Sequence, residues 1–285
     1  MIKNYLELNE DEKALVNDFM NRRQDNKISQ KEFEDSINNA VHDFGRGIMF
    51  YLDRNKVLGK AFLILEPAQR IHTAYIHNID LEENRDFVFK ELIEKCKEIS
   101  KKYTVEKLFL SLGKDEILKT QNKAGLKAQY SAFNMELKDK KEKDIARLEL
   151  EALCEENVED YVKIFNEAFM DMPHGCFTTL DNMRTEIENE NVRYYLAKEG
   201  NCYVGFIDVR IENDKGFFDI GLGKNFRGKG LGKRLLETAI DLLQKKGVHS
   251  VCLTVIEKNN IAYDMYKKRG FQVCEKISDW IEIKL

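Results

Sequence analysis

Proline is nearly missing, with two residues in 285, and glycine is sparse at 16. Unfolded chains and linkers are usually rich in both, so a composition that is 43% hydrophobic excludes a largely disordered or fibrous protein. No run of 18 apolar residues occurs, which predicts no membrane-spanning helix. The stretch Met1-Ile2-Lys3-Asn4-Tyr5-Leu6-Glu7 has no apolar core and turns acidic too early for a targeting segment. A cytoplasmic protein is expected. Charge of one sign is not in excess either: 46 basic against 50 acidic residues leave a formal −4. No overall field would draw this chain to nucleic acid or to an anionic membrane, and neither is expected as a partner. The six cysteines form no CxxC pair, and the five histidines show no ligand spacing with them, so no metal site is expected. Cys252, inside Val251-Cys252-Leu253, reads as a core residue.

The chain present is long enough for two cores of ordinary size. The run Lys138-Asp139-Lys140-Lys141-Glu142-Lys143-Asp144 carries no apolar residue and separates two similar stretches. We expect a first domain over 1–138, a linker over 139–145 and a second domain over 146–285. Each half opens with two helical patterns. Leu15, Val16, Phe19 and Met20 are followed by Phe33, Ile37, Val41 and Phe44. In the second half Tyr161, Val162, Phe165, Ala168 and Phe169 are followed by Leu180, Met183 and Ile187. Strand-like runs around Gly59 and Gly205 come next, then another strand, a longer helix, a strand, a short helix, a glycine (Gly125, Gly270) and a closing strand. The matched glycines keep nearly the same offset, which points to an internal duplication. This order predicts an α/β fold, a mixed sheet covered by helices on both faces, present twice in tandem.

The halves part company between the middle strand and the long helix. The first has Asp80, Glu82, Glu83 and Asp86 there and no glycine. The second has Gly221-Leu222-Gly223-Lys224-Asn225-Phe226-Arg227-Gly228-Lys229-Gly230-Leu231-Gly232-Lys233. Glycines 228, 230 and 232 free the backbone amides to converge on an anion at a helix N-terminus, with Arg227, Lys229 and Lys233 as countercharge. A nucleotide P-loop fails, because Gly230 stands where a magnesium-binding hydroxyl is needed, and the dinucleotide pattern GxGxxG fails as well. What fits is R-x-x-G-x-G, with the first arginine at Arg227 and the run ending at Gly232.

This pattern resembles the acyl-CoA loop of the GCN5-related N-acetyltransferase family. A second stretch strengthens the resemblance: Asn259-Asn260-Ile261-Ala262-Tyr263-Asp264-Met265-Tyr266-Lys267-Lys268-Arg269-Gly270-Phe271 is similar to the family's N-x-x-A-x-x-x-Y-x-x-x-G-F segment. Both motifs lie in about residues 146–285; the first half shares the outline alone, as a degenerate copy. The resemblance implies acetyl-CoA as co-substrate and no metal. It implies a pantetheine arm along strand backbone at Ile220, Gly221 and Leu222, beside a neighbouring strand that splays away. It also implies a pyrophosphate held by Arg227, Gly228, Lys229, Gly230, Leu231, Gly232 and Lys233, with Asn259 on the arm and Tyr266 facing the thioester sulfur. Lys224 replaces a proline often found in the family.

The reaction implied is direct transfer of an acetyl or short acyl group to a primary amine, of a small molecule or a peptide, within a ternary complex. An aliphatic ammonium of pKa about 10.4 must first lose a proton. Asp219 is the leading candidate for the base, with Asp208 and Glu212 behind it; Thr254, on the following strand, cannot serve. Tyr266 is the candidate acid for the leaving thiolate. Phe169–Phe177, with two methionines and Asp171, is the expected acceptor-side loop. Ordinary roles remain open beside these: a glycine-rich turn, a helix cap for Asn259, a core tyrosine for Tyr266. A non-catalytic acyl-CoA-binding or regulatory module is the alternative, and a nucleotide-binding protein a more distant one.

Overall fold

A computed structural model describes residues 1–22, 26–82, 86–113, 126–138 and 141–285. Glu83 and Gly125, used above to compare the halves, lie outside them. The chain divides into two units, 1–130 with 278–285, and 131–277.

In the first unit, helices α1 (Glu10–Asn21) and α2 (Gln30–Ile37) both start with reciprocal capping boxes, Asn9 with Glu12 and Ser29 with Glu32. Each box satisfies two backbone donors that the first helical turn leaves open. Strands β1 (Ile2–Asn4), β2 (Ile48–Asp53), β3 (Lys56–Ile64), β4 (Thr73–Leu81) and β5 (Lys107–Gly113) lie side by side in that order. The β4–β5 pair is parallel and the others are antiparallel. A one-turn helix, α3 (Ala68–Ile71), leads into β4, and α4 (Asp86–Lys102) links β4 to β5. Val88, Leu92, Ile93 and Cys96 of α4 cover one face of the sheet; Val16, Phe19 and Phe33 of the two leading helices belong to the core on the other.

The second unit repeats this plan. Strands β7 (Glu149–Ala152), β8 (Val192–Glu199), β9 (Cys202–Glu212), β10 (Lys215–Leu222) and β11 (Ser250–Ile256) follow the same order, again with one parallel pair, β10–β11. Helices α5 (Val158–Phe169) and α6 (Leu180–Ile187) supply one core, with Tyr161, Ile164 and Met183 packed on Leu196 and Phe206. On the other face lies α7 (Leu231–Lys245), whose Leu235, Leu236, Ala239, Ile240 and Leu243 recur at helical spacing and are almost fully enclosed. Each such leucine or isoleucine contributes roughly 1.5–3 kcal/mol by leaving water. Helix α8 (Asn260–Arg269) precedes the last strand, β12 (Phe271–Ile283).

Gly59 and Gly205 each sit at a close approach. Gly59 faces Leu81 and Gly205 faces Leu222 across their antiparallel ladders. A Cβ on Gly59 would stand 2.7 Å from Leu81 Cδ2, and one on Gly205 2.5 Å from the carbonyl oxygen of Gly221. At Gly205 the obstacle is backbone and excludes a side chain; at Gly59 it is first the ends of Leu81 and Val88, which would have to shift.

The closing strands are exchanged. β6 (Tyr130–Leu137) pairs antiparallel with β11, from Cys252↔Glu136 to Ile256↔Ala132. The end of β12 pairs antiparallel with β5, from Ser278↔Gly113 to Ile283↔Leu108. Each unit therefore takes its sixth strand from the far side of the charged run. Residues 141–145, in the segment expected as a linker, belong to the second unit.

Candidate active site

The parallel ladder between β10 and β11 runs from Lys215↔Ser250 to Phe217↔Cys252 and stops there, although β10 continues to Leu222 and β11 to Ile256. Past Phe217 the edge of β10 turned away from β9 has no strand paired to it among the described residues, so Ile220, Gly221 and Leu222 lie on an open edge. On its other side β10 stays paired to β9 as far as Leu222↔Gly205. Gly221 is also a packing glycine, since a Cβ there would come within 2.4 Å of Phe206 Cε1 and 2.6 Å of Ala168 Cβ.

The chain then turns through Lys224–Phe226 into the glycine run. Gly228 and Gly230 have φ of 76° and 81°, which other residues reach at a cost, and among the described residues, chain neighbours aside, no atom lies within 4 Å of a Cβ built on either. Gly230 caps α7 without any side-chain hydrogen bond. Among the described residues, no acceptor lies on the amides of Gly228, Lys229, Gly230, Leu231 and Gly232; Lys233 N–H reaches the Gly230 carbonyl at 3.3 Å. A cluster of open donors at the start of a 15-residue helix fits a phosphate group, and the bare Gly228 and Gly230 leave room for one.

Arg227 differs from the expectation of mobile countercharge. Its guanidinium donates to the carbonyls of Glu167 at 2.6 Å, Ala168 at 3.4 Å and Leu222 at 3.3 Å, tying the loop to the C-terminal end of α5. Lys229 lies over the Phe226 ring, 5.9 Å from its centre. Asn259 caps α8, accepting from Ala262 N–H at 3.4 Å.

Tyr266, on α8, is 8% exposed, with its ring edge-on to Phe218 at 6.3 Å and Phe271 at 5.9 Å. Its hydroxyl has no hydrogen-bond partner among the described residues. Burial, and then the nearby Asp219 carboxylate, push this phenol well above its ordinary pKa. A phenol held protonated is a proton donor. Asp219 keeps an exposed surface, although neighbouring protein atoms desolvate it in part. Burial raises its pKa, and Arg210 partly offsets that. Asp208 stands directly opposite Asp219 across β9 and β10. Burial also drives Asp208 well above the carboxylate range, with Asp219 adding to the rise and a hydrogen bond from Tyr161 opposing it. Glu212 is exposed and bonded to Arg210 at 2.9 Å, away from this pair.

Three partnerships are not visible in the sequence. Tyr161, which reads as one more residue of an apolar helical face, donates its hydroxyl to Asp208, 2.7 Å from either oxygen. Asp171, in the loop expected on the acceptor side, pairs with Lys224 at 2.5 Å. Glu237 and Arg269, both almost fully buried, join α7 to α8 through an ion pair, and Arg269 also donates to the Lys141 carbonyl at 3.1 Å. An acid inside the apolar face of α7 was the available signal for the last.

Residues 150–271 match the model of the acetyltransferase (GNAT) family. Those residues are thus similar to a GNAT-family acetyltransferase domain. A mycothiol acetyltransferase of Corynebacterium aurimucosum is 27% identical over 147 residues, 46% of this chain and 48% of that protein. The [ribosomal protein bS18]-alanine N-acetyltransferase of Escherichia coli K12 is 31% identical over 91 residues, 31% of this chain and 62% of the relative. The match thus spans about half the length of such relatives. Among solved structures, a GCN5-related N-acetyltransferase from Sphaerobacter thermophilus superposes with a TM-score of 0.58 at 14% identity, over 96% of this chain and 91% of that one. A GNAT-family acetyltransferase from Colwellia psychrerythraea gives 0.55 at 13% identity, over the whole of both chains. At such identities the likeness is one of fold, here the GNAT fold over both halves. Among the described residues no group of three or more His, Cys, Asp or Glu could hold a metal ion, and no helix is long and apolar enough to cross a membrane.

Proposed function

We propose that the second half of the chain transfers an acetyl or short acyl group from acyl-CoA to a primary amine. The observation that carries this reading is the set of acceptor-free amides from Gly228 to Gly232 beside the parted end of β10. The pyrophosphate of acetyl-CoA would take those amides, with Lys229 and Lys233 as countercharge, while Arg227 fixes the loop. The pantetheine arm would run along the open edge at Ile220–Leu222, within reach of the Asn259 side-chain amide. Asp219 accepts a proton from the bound amine, and the amine nitrogen forms its bond to the thioester carbonyl carbon. The carbon–sulfur bond then breaks, and the thiolate takes the Tyr266 proton. A backbone N–H of β10 is a candidate donor to the oxyanion.

Calorimetric titration of acetyl-CoA against ATP, with mass spectrometry of an amine panel afterwards, tests this. Saturable acetyl-CoA binding with an acetylated product is expected. Tight ATP binding without acetyl-CoA binding would overturn it, and acetyl-CoA binding with no product from any amine would favour a regulatory module.

A further inference from the structure

Two carboxylates directly opposite on neighbouring strands repel each other, and a fold tolerates that cost where a cation relieves it. Asp208 and Asp219 are such a pair. Among the described residues neither is in an ion pair with a lysine or arginine. Arg210, whose charge is felt at Asp219, is itself bonded to Glu212 at 2.9 Å and lies over the Phe217 ring at 4.6 Å. The pair is built rather than incidental. Tyr161, which has no exposed surface, spends its hydroxyl on Asp208. From the other side comes an independent sign of a ligand: the Tyr266 side chain is 8% exposed, its hydroxyl is unpartnered, and it lies close enough to feel Asp219. Beside the carboxylates stands an aromatic wall on the face that carries α5. Phe206 is fully enclosed, while Phe165 and Phe169 are half-buried, 5.2 and 5.6 Å from it between ring centres.

We propose that Asp208 and Asp219 together receive the ammonium group of the acceptor, and that the acceptor is an aliphatic amine whose hydrocarbon part lies on Phe165 and Phe169. This rests on the transfer reading above and names the substrate class of the same site. The bound ammonium R–NH3⁺ gives one proton to the carboxylate pair and becomes R–NH2, the nucleophile. The tetrahedral adduct loses a second N–H proton as the thiolate leaves as thiol, so the net products are the amide, free thiol and one released proton. Tyr161 is a positioning residue that holds Asp208 in place. An aromatic amine, neutral at pH 7, would bring no charge to the pair, and an anionic acceptor would be repelled.

The test uses the full chain and two isosteric probes, 1,6-diaminohexane and 1,6-hexanediol, by calorimetry with and without acetyl-CoA. One diamine per chain and no heat from the diol are expected. Asp208→Asn should weaken the diamine at least tenfold while leaving acetyl-CoA affinity within about twofold. In turnover the same variant should raise the KM of the amine more than it lowers kcat. Tyr161→Phe should move the amine KM in the same direction by a smaller factor. Equal binding of diamine and diol, or an Asp208→Asn protein that binds the diamine within twofold of the original, would overturn the proposal. If Asp208→Asn does not fold, Tyr161→Phe decides, and unchanged diamine binding there overturns it equally. Failure of the transfer reading shows separately, as no acetyl-CoA binding by the unaltered chain, and the diamine measurement still stands.

Discussion

In both units the parallel ladder gives out early. β4 and β5 pair through Ile76↔Leu110, and β10 and β11 pair through Phe217↔Cys252, after which each pair parts. Beyond the parting, the two units are opposite in kind. At the end of β4, Asp80 binds Arg22 at 3.0 Å, and Glu82 lies 3.8 Å from Arg22 and 3.5 Å from Lys56. The first unit pairs the acids at the end of β4 with its own cations. The second leaves amides without acceptors at the same place. The parting of strands is therefore common to both units, whereas the residues that follow it differ, paired charges in the first and open amides in the second.

The sharpest way to break this contrast is Gly230→Glu, which adds a side chain at φ 81° and aims a carboxylate at the anion site. Acetyl-CoA affinity should fall at least a hundredfold by calorimetry, with the far-ultraviolet spectrum unchanged. The unaltered chain should bind one acetyl-CoA, and two equivalent sites would end the contrast. Next in size is Tyr266→Phe, which keeps the packing against Phe218 and Phe271 and removes the proton. It should lower kcat by roughly 10²–10⁴-fold. Acetyl-CoA affinity should stay within about twofold, and a variant with nearly full turnover would return Tyr266 to a core role.

A smaller effect concerns acid. In the first unit His42 and His77 are stacked at 5.3 Å, and burial holds both below their ordinary pKa, His77 down to about 4. A histidine depressed in the folded state favours folding above its unfolded pKa of about 6.5. That contribution is lost as pH falls toward 4. The raised carboxylates of the second unit act in the reverse sense, because protonation on acidification removes their desolvation cost. Urea melts at pH 7 and pH 5 separate the two. Trp280, which belongs to the first unit, should report an earlier midpoint at pH 5, while the midpoint of acetyl-CoA-dependent protection should hold or rise. The smallest effect expected is from Arg22→Ala, which should cost the first unit about 1 kcal/mol in the same melts and leave acetyl-CoA affinity unchanged.

Much of this was legible in the chain. The α7 face and the Gly59–Gly205 correspondence follow from periodicity and from close approach, both local properties. The open loop was legible because glycines 228 and 230 leave few alternatives. What periodicity does not encode is the neighbour. Tyr161 and Asp208 are 47 residues apart, and nothing in an apolar helical spacing marks a tyrosine whose hydroxyl has a separate task. Arg227 reads as countercharge because its sequence neighbours are glycines, yet its spatial neighbours are the carbonyls that end α5. The exchange of β6 and β12 was invisible for the same reason: a strand's pattern gives its faces and not its partner.

That exchange sets a timetable. The ribosome finishes β6 before any other strand of the second unit, so that sheet can be assembled as its strands emerge. The first unit has no such luck: β5, with Leu108, Leu110 and Leu112, is made early and waits for residues 278–283. At translation speeds of about 5–20 residues per second the wait is on the order of ten seconds or more. For that time the half without the glycine loop carries an unpaired apolar edge, the kind of surface to which other nascent chains adhere. Duplication with exchange thus makes the first half dependent on the last residues of the second, and the cell's protection of the newborn chain is needed chiefly there.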